Sequence, residues 1–390
     1  MRVLQLVSSS GFYGTERMIC LLSAALQRAG AEVYIGVFNG SSPSCSRFVQ
    51  EAERQNLKVL NLACKGRWNL RTVVLLARWL RMNRIEVLHT HGYKANIYGL
   101  VAARLAGCAL VATCHNWTNR TASLRQYATL DRFFLRHFDR VVAVSHGVLS
   151  NLRRAGVPGR RIRQIPNGIE VATYKAASQT PQQSGRIILG CLSRLSKEKG
   201  IDVLVWALPR LLAAYPELQC VVAGEGPERE RILALAAELC VSHALHLPGF
   251  CDDTARFLSR CTLVIQPSRI EAMPLAVLEA MASEKPIIAS AVGEIPRLLE
   301  DGKAGLLVPP NNPDMLADAI LRLLSSPEEQ QVLAARAAEK ATACFDVSVM
   351  LDGYLATYKE AMAKRHLLVR TSTSEKAGAY YGRGTDRNIA

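Results

Sequence analysis

Two successive series of short, β-rich apolar runs, each run followed by a helical pattern, constrain this chain more than any other feature of it. The first series falls at residues 3–7, 33–38, 58–62, 87–90, 110–114 and 141–144, with helices expected near 16–29 and 70–82. The second falls at 187–192, 220–223, 244–247, 263–266 and 287–290. Strands alternating with helices predict an α/β fold of doubly wound parallel sheets, because parallel neighbours need a crossover and a helix supplies it.

Two such series in 390 residues predict two Rossmann-like domains rather than one. The Ser/Gln/Thr/Pro-rich residues 178–184 read as a flexible connection. The boundary is placed between Asn167 and Arg186, giving a first domain over residues 1–170 and a second over 171–345. Val347, Leu351, Tyr354, Leu355, Tyr358 and Met362 recur at helical spacing and predict a helix over 346–363 that packs back on a domain. Residues 365–390 show no periodicity and are expected to be disordered. Two α/β domains facing one another leave a cleft at the carboxyl ends of both sheets, where ligands of such folds bind.

The net charge of +15 is concentrated, since residues 65–165 hold 18 Lys and Arg against Glu86, Asp131 and Asp139. That excess suits anionic head groups, phosphorylated acceptors or nucleic acid, and it reads equally well as a solvated basic surface. The eleven cysteines are scattered without C-x-x-C or zinc-type spacing, so reduced, buried thiols are expected. The N-terminal apolar run is too short for a secretory signal, and Arg104 breaks the best membrane-spanning candidate, residues 98–113. The expected location is cytoplasmic, with any membrane contact peripheral at the inner face.

The most informative segment is residues 267–282, PSRIEAMPLAVLEAMA, which joins a buried strand to a helix. Proline suits a first helical position, so Met273, Pro274 and Leu275 are expected to open a helix whose free N–H groups and dipole receive a phosphate. Glu271 precedes that helix and Glu279 lies within it. The spacing does not suit a glycosidase pair, and two carboxylates set apart can hold hydroxyl groups along an extended ligand. By themselves they read equally well as helix-surface glutamates. Residues 190–200, GCLSRLSKEKG, also follow a strand and open a helix. There Arg194 and Lys199 can neutralise charge on a departing diphosphate.

With Gly14-Thr15-Glu16, His89-Thr90-His91-Gly92, Cys114-His115-Asn116, Ile165-Pro166-Asn167-Gly168-Ile169, Gly224-Glu225-Gly226-Pro227, Pro248-Gly249-Phe250 and residues 305–310, these segments form an ordered set. In it the chain resembles the retaining glycosyltransferases of family 4 over about residues 1–362. The resemblance implies the GT-B fold of two facing Rossmann-like domains and transfer of a sugar from a nucleotide-sugar donor, UDP- or GDP-linked, to an acceptor, and the basic excess in the first domain points to docking on an anionic membrane and a lipid-linked or cell-envelope saccharide as that acceptor. The resemblance also implies that Arg194 and Lys199 bind the diphosphate, Glu279 the ribose, and Glu271 the transferred sugar or a nearby phosphate. Gly249 and Phe250 would face the base, Gly224 would belong to the donor site, and Gly14 would let the first loop approach the donor. His115 would lie beside the reacting sugar, with Glu16 and His91 on the acceptor side. Read without the family, His115 suits an interior histidine equally well.

The sequence departs from the family pattern at Ala272 and Glu284, where glycine is usual, and at Arg297, where glutamate is usual. No D-x-D dyad lies beside a phosphate loop, so neither metal nor cofactor is expected, and Asp252-Asp253 reads as a helix N-terminal signal. Other readings are an epimerase or hydrolase of nucleotide sugars on the same scaffold and a basic nucleic-acid-binding protein. The latter would want aromatic residues interleaved with its basic ones as stacking platforms, whereas Trp68, Trp79 and a few Tyr and Phe stand mostly at core-like spacing. A dinucleotide-dependent dehydrogenase would need a G-x-G-x-x-G after the first strand, and none is present.

Overall fold

The computed structural model describes residues 1–8, 11–39, 44–64, 69–115, 122–178 and 186–381. The connection at 179–185, Asn116 and residues 382–390 lie outside the described residues. The chain divides into two compact units. One comprises Met1–Val144, Val148–Ile165 and the chain from Leu351 onward, and the other Ser145–Gly147 and Pro166–Met350.

The first unit is built on seven strands: β1 (Arg2–Val7), β2 (Glu32–Asn39), β3 (Lys58–Ala63), β4 (Val87–His91), β5 (Ala109–Cys114), β6 (Arg140–Ala143) and β7 (Ile162–Gln164). They lie in the order β3-β2-β1-β4-β5-β6-β7, every pair parallel. Val3 faces Val33 on one side and Val87 on the other, so β1 is central, and beyond Arg2 it is buried on both faces and apolar apart from Gln5.

The second unit carries β8 (Ile188–Leu192), β9 (Gln219–Ala223), β10 (Leu245–Gly249), β11 (Leu263–Gln266), β12 (Ile287–Ser290) and β13 (Leu306–Val308). Their order, β10-β9-β8-β11-β12-β13, is again all parallel. Its core sets Leu189, Val222, Ile265 and Ile288 of the sheet against Leu204, Leu208 and Leu211 of helix Ile201–Ala214 and Leu316, Ile320 and Leu323 of helix Pro313–Leu324. In both sheets the order reverses beside the first strand, so the loops after β1 and β4, and after β8 and β11, diverge and leave room for ligands.

Two strands, β7 and β13, have no counterpart in the sequence reading. Each spans three residues, too few to show a period. The last helix begins at Val347, and it continues to Tyr381, well past Arg365, where a disordered tail was expected. No proline interrupts residues 347–381, and Ala, Leu, Lys and Arg there are strong helix formers, so a helix can extend without an amphipathic period. Its buried stripe is Met350, Tyr354, Thr357, Tyr358 and Ala361. Among the described residues, no helix is long and apolar enough to cross a membrane, and the described cysteines whose state is known carry free thiols.

Candidate active site

In the second unit, four loops at the carboxyl ends of the strands are interlocked through backbone contacts in which only glycine fits. A Cβ on Gly224 would lie 1.9 Å from the Ser193 carbonyl oxygen, and one on Gly226 2.2 Å from that of Leu195, so the loop after β9 presses on the loop after β8. Gly200, at φ +63°, sits against the Pro267 carbonyl, and Gly293, at φ +59°, against the Glu271 carbonyl, with 2.1 and 2.0 Å left for a side chain. Hydrogen bonds fasten the same loops: Ser193 N–H to Ala223 O, Leu195 N–H to Glu225 O, Gly224 N–H to Gly249 O at 2.7 Å and Arg269 N–H to Glu198 O at 2.8 Å. Atoms closer than van der Waals contact are strongly disfavoured, so this arrangement fixes the loops as one body.

Charge is mounted on that body in a consistent sense. Lys199 Nζ lies 2.6 Å from Glu271 Oε1, which also accepts from Ser268 Oγ at 2.7 Å and Gln266 Nε2 at 3.0 Å. Arg194 pairs with Glu198. In both pairs the cation is the more exposed partner, 23% for Lys199 against 6% for Glu271 and 32% for Arg194 against 14% for Glu198. The carboxylates therefore act as buried anchors that hold two cations at the loop surface. Neither Gln266, Ser268 nor Glu198 was singled out from sequence. Their signal was position, since Gln266 ends an otherwise apolar strand and is 2% exposed.

Helix Leu275–Ala282 follows. Pro274 is its N-cap, at ψ 118°, and not the first helical residue as expected, because the extended ψ places the turn one residue later. The free N–H groups therefore begin at Leu275, since proline has none to offer. Asn167 Nδ2 donates to the Met273 carbonyl at 3.2 Å, which gives the Ile165–Ile169 motif a local role: it steadies the approach to this helix. Glu279, on the helix's second turn, is 1% exposed. Gly249 adopts φ +89° at the end of β10 and Phe250 follows it, half-buried. Asp253 caps the next helix, its Oδ1 accepting from Arg256 N–H at 2.9 Å. Among the described residues no cluster of His, Cys, Asp and Glu is arranged to hold a metal ion.

The remaining candidates sit in the first unit. Gly14 is the first residue of helix Gly14–Arg28. Glu16 is 6% exposed and its Oε2 accepts the Tyr13 N–H at 3.0 Å, a capping bond at the start of that helix. This placement gives the carboxylate a structural task. His91 ends β4 and is 1% exposed; its Nε2 lies 2.9 Å from Gln5 Oε1 and its Nδ1 3.3 Å from Nε2 of His115, which follows β5. Burial pushes the His115 imidazole down to about 4, and burial with the neighbouring imidazoles holds His91 well below the ordinary histidine range. The structure thus brings His91 and His115 together as neutral rings, pairs Lys199 with Glu271 just ahead of the helix at Leu275, and pairs Arg194 with Glu198 in the interlocked loop.

Comparison with known proteins matches both units. The family model described as Glycosyltransferase Family 4 covers residues 12–173, and that described as Glycosyl transferases group 1 covers residues 175–340. A phosphatidyl-myo-inositol mannosyltransferase of Mycobacterium leprae is 31% identical over 290 residues, 72% of this chain and 75% of the relative. A D-inositol 3-phosphate glycosyltransferase of Acidothermus cellulolyticus is 29% identical over 325 residues, 76% of this chain and 71% of the relative. Among solved structures, HepE of Anabaena in complex with UDP superposes with a TM-score of 0.81 at 20% identity, covering 92% of this chain and all of that one. The fold is therefore GT-B.

Proposed function

From the premise that the chain belongs to glycosyltransferase family 4 and is a glycosyltransferase, we propose that it moves a sugar, with retention of configuration, from a nucleotide-sugar donor to a lipid-linked saccharide of the cell envelope. The observation that carries the donor half of this reading is the pair of outward cations on buried carboxylate anchors, Lys199 on Glu271 and Arg194 on Glu198. Two cations on loops interlocked with the one that leads into helix Leu275–Ala282 match a diphosphate, whose charge grows as the bond to the sugar's C1 breaks. Because the loops are already locked, little reorganisation is needed when that charge develops. Glu279 would hold the ribose and His115 would adjoin the transferred sugar. The HepE structures were obtained with UDP and with UDP-glucose, which supports a uridine donor here.

A second observation favours a lipid-linked acceptor. In the first unit, helix Leu70–Met82 exposes Leu70, Val74, Leu75 and Met82, and helix Tyr93–Ala106, packed beside it, exposes Val101 and Leu105. Arg71, Arg78, Arg81 and Arg104 are exposed on the same two helices, and neither helix carries an acidic residue. Apolar side chains interleaved with arginine suit the head-group region of an anionic bilayer. The Mycobacterium leprae relative is named a phosphatidyl-myo-inositol mannosyltransferase, which agrees with this reading.

The donor reading is tested by thermal shift with UDP, GDP and their sugars on the wild type and Glu279→Ala. One nucleotide at 100 times its Kd should stabilise the wild type by about 2.7 kcal/mol and lose that effect in the variant. No shift with any nucleotide would overturn it. The acceptor reading is tested by co-sedimentation with phosphatidylglycerol and phosphatidylcholine vesicles. Binding to the anionic vesicles alone, weakened by salt and by Arg78→Glu, is expected, and equal indifference to both vesicles would remove the membrane.

A further inference from the structure

Beneath His115 runs a hydrogen-bonded series that crosses the first unit and ends on the last helix. His115 Nε2 meets His91 Nδ1 at 3.3 Å; His91 Nε2 meets Gln5 Oε1 at 2.9 Å; Gln5 Nε2 donates to Tyr358 Oη at 3.2 Å. Tyr358 Oη meets His89 Nδ1 at 2.7 Å, His89 Nε2 meets Thr113 Oγ1 at 2.8 Å, and Thr113 Oγ1 meets Tyr354 Oη at 2.9 Å. Gln5, His89, His91, Thr113, Tyr354 and Tyr358 are each at most 1% exposed. Three imidazoles packed this closely, with His89 and His91 centroids 4.2 Å apart and those of His91 and His115 5.6 Å apart, cannot share the interior as cations.

Neutral rings have one N–H each, so the direction of every bond is set once a single member is fixed. Gln5 is that member, because its amide nitrogen only donates and its oxygen only accepts. With Nε2 on Tyr358, its oxygen requires the proton of His91 on Nε2. His91 Nδ1 is then an acceptor and requires the proton of His115 on Nε2, leaving Nδ1 of His115 as that ring's basic nitrogen. On the other side Tyr358 accepts from Gln5 and donates to His89 Nδ1, so its hydroxyl couples the Gln5 amide to the His89 ring. The reversed amide would reverse the whole series and put the His115 proton on Nδ1.

We propose that Gln5 and Tyr358 are positioning residues which, through His91, fix the tautomer and ring orientation of His115. The last helix, more than two hundred residues away in sequence, thereby takes part, through Gln5 and His91, in setting which nitrogen of His115 is basic. The consequence for catalysis rests on the reading above that His115 adjoins the transferred sugar; the tautomer itself does not.

Long-range proton–nitrogen correlation spectra of the full chain labelled with nitrogen-15 histidine test this directly. In the wild type near pH 7, His89, His91 and His115 should all appear neutral with the proton on Nε2. A His115 proton on Nδ1, or an imidazolium, would overturn the assignment without any variant. In Tyr358→Phe the His115 signals should move toward mixed tautomers and kcat should fall roughly tenfold, the worth of one neutral hydrogen bond, with the donor KM unchanged. Gln5→Leu, similar in size but without the amide donor and acceptor, should do the same. An unaltered His115 tautomer in either folded variant would overturn the wiring. A changed tautomer with unchanged kcat would remove His115 from the chemistry while leaving a donor thermal shift intact, so the two readings fail separately.

Discussion

The two units hold their polar side chains by opposite means. In the second, Arg194 and Lys199 stay charged at a surface, and what fixes them is backbone: glycines 200, 224, 226 and 293 let loops approach to distances no side chain tolerates. In the first, His89 lies within β4, His91 ends it and His115 follows β5, and what fixes them is burial, which keeps the rings neutral and obliges each to find a partner. A site that must meet a diphosphate needs accessible cations on rigid anchors. A histidine network needs dryness, since one stray proton would break its pattern.

The comparison breaks first at Lys199. Lys199→Ala removes one of the two outward cations and leaves Glu271 buried without its ion pair, so kcat/KM should fall by about 100-fold or more, as when one preorganised electrostatic donor is lost. Steady-state turnover of a UDP-sugar measures it, and a loss below tenfold would mean that the cation is not aimed at the leaving group.

The next effect sharpens the contrast by pH. Burial pushes His89 down to about 3 and His115 to about 4, below the histidine value near 6.5 in an unfolded chain. Between those limits the unfolded chain binds more protons than the folded one, so stability is full above about pH 6.5 and declines as pH falls. At pH 5 the His89 contribution alone is a loss of about 2 kcal/mol. Thermal melts at pH 7 and pH 5 should show the first unit losing stability ahead of the second, and equal losses in Tyr358-containing and donor-binding regions by hydrogen exchange would contradict the contrast.

The smallest effect concerns Glu16. Its carboxylate caps a helix, so Glu16→Ala should cost about 1 kcal/mol in the melting transition. A loss of acceptor turnover larger than that destabilisation explains would return Glu16 to the acceptor side.

Much of this was legible from residues alone. Helix Leu70–Met82 has the bounds its pattern predicted, and the buried strands β5, β11 and β12 announce themselves as largely apolar runs. Arg194, Lys199, Glu271 and Pro274 stood out because each lies just past such a run, where parallel sheets gather ligands. The three-residue strands β7 and β13 left no period to read, and the N-cap at Pro274 turned on one ψ angle that composition does not specify. Local periodicity and the chemistry of single side chains are properties of neighbours along the chain, and so the sequence by itself determined two α/β units and the residues able to bear charge. Which carboxylate anchors which cation, which glycine admits which carbonyl, and that Tyr358 answers to Gln5 across 353 positions were decided only when folding brought distant segments into contact, because hydrogen bonds and close packing act through space and leave no mark on sequence spacing.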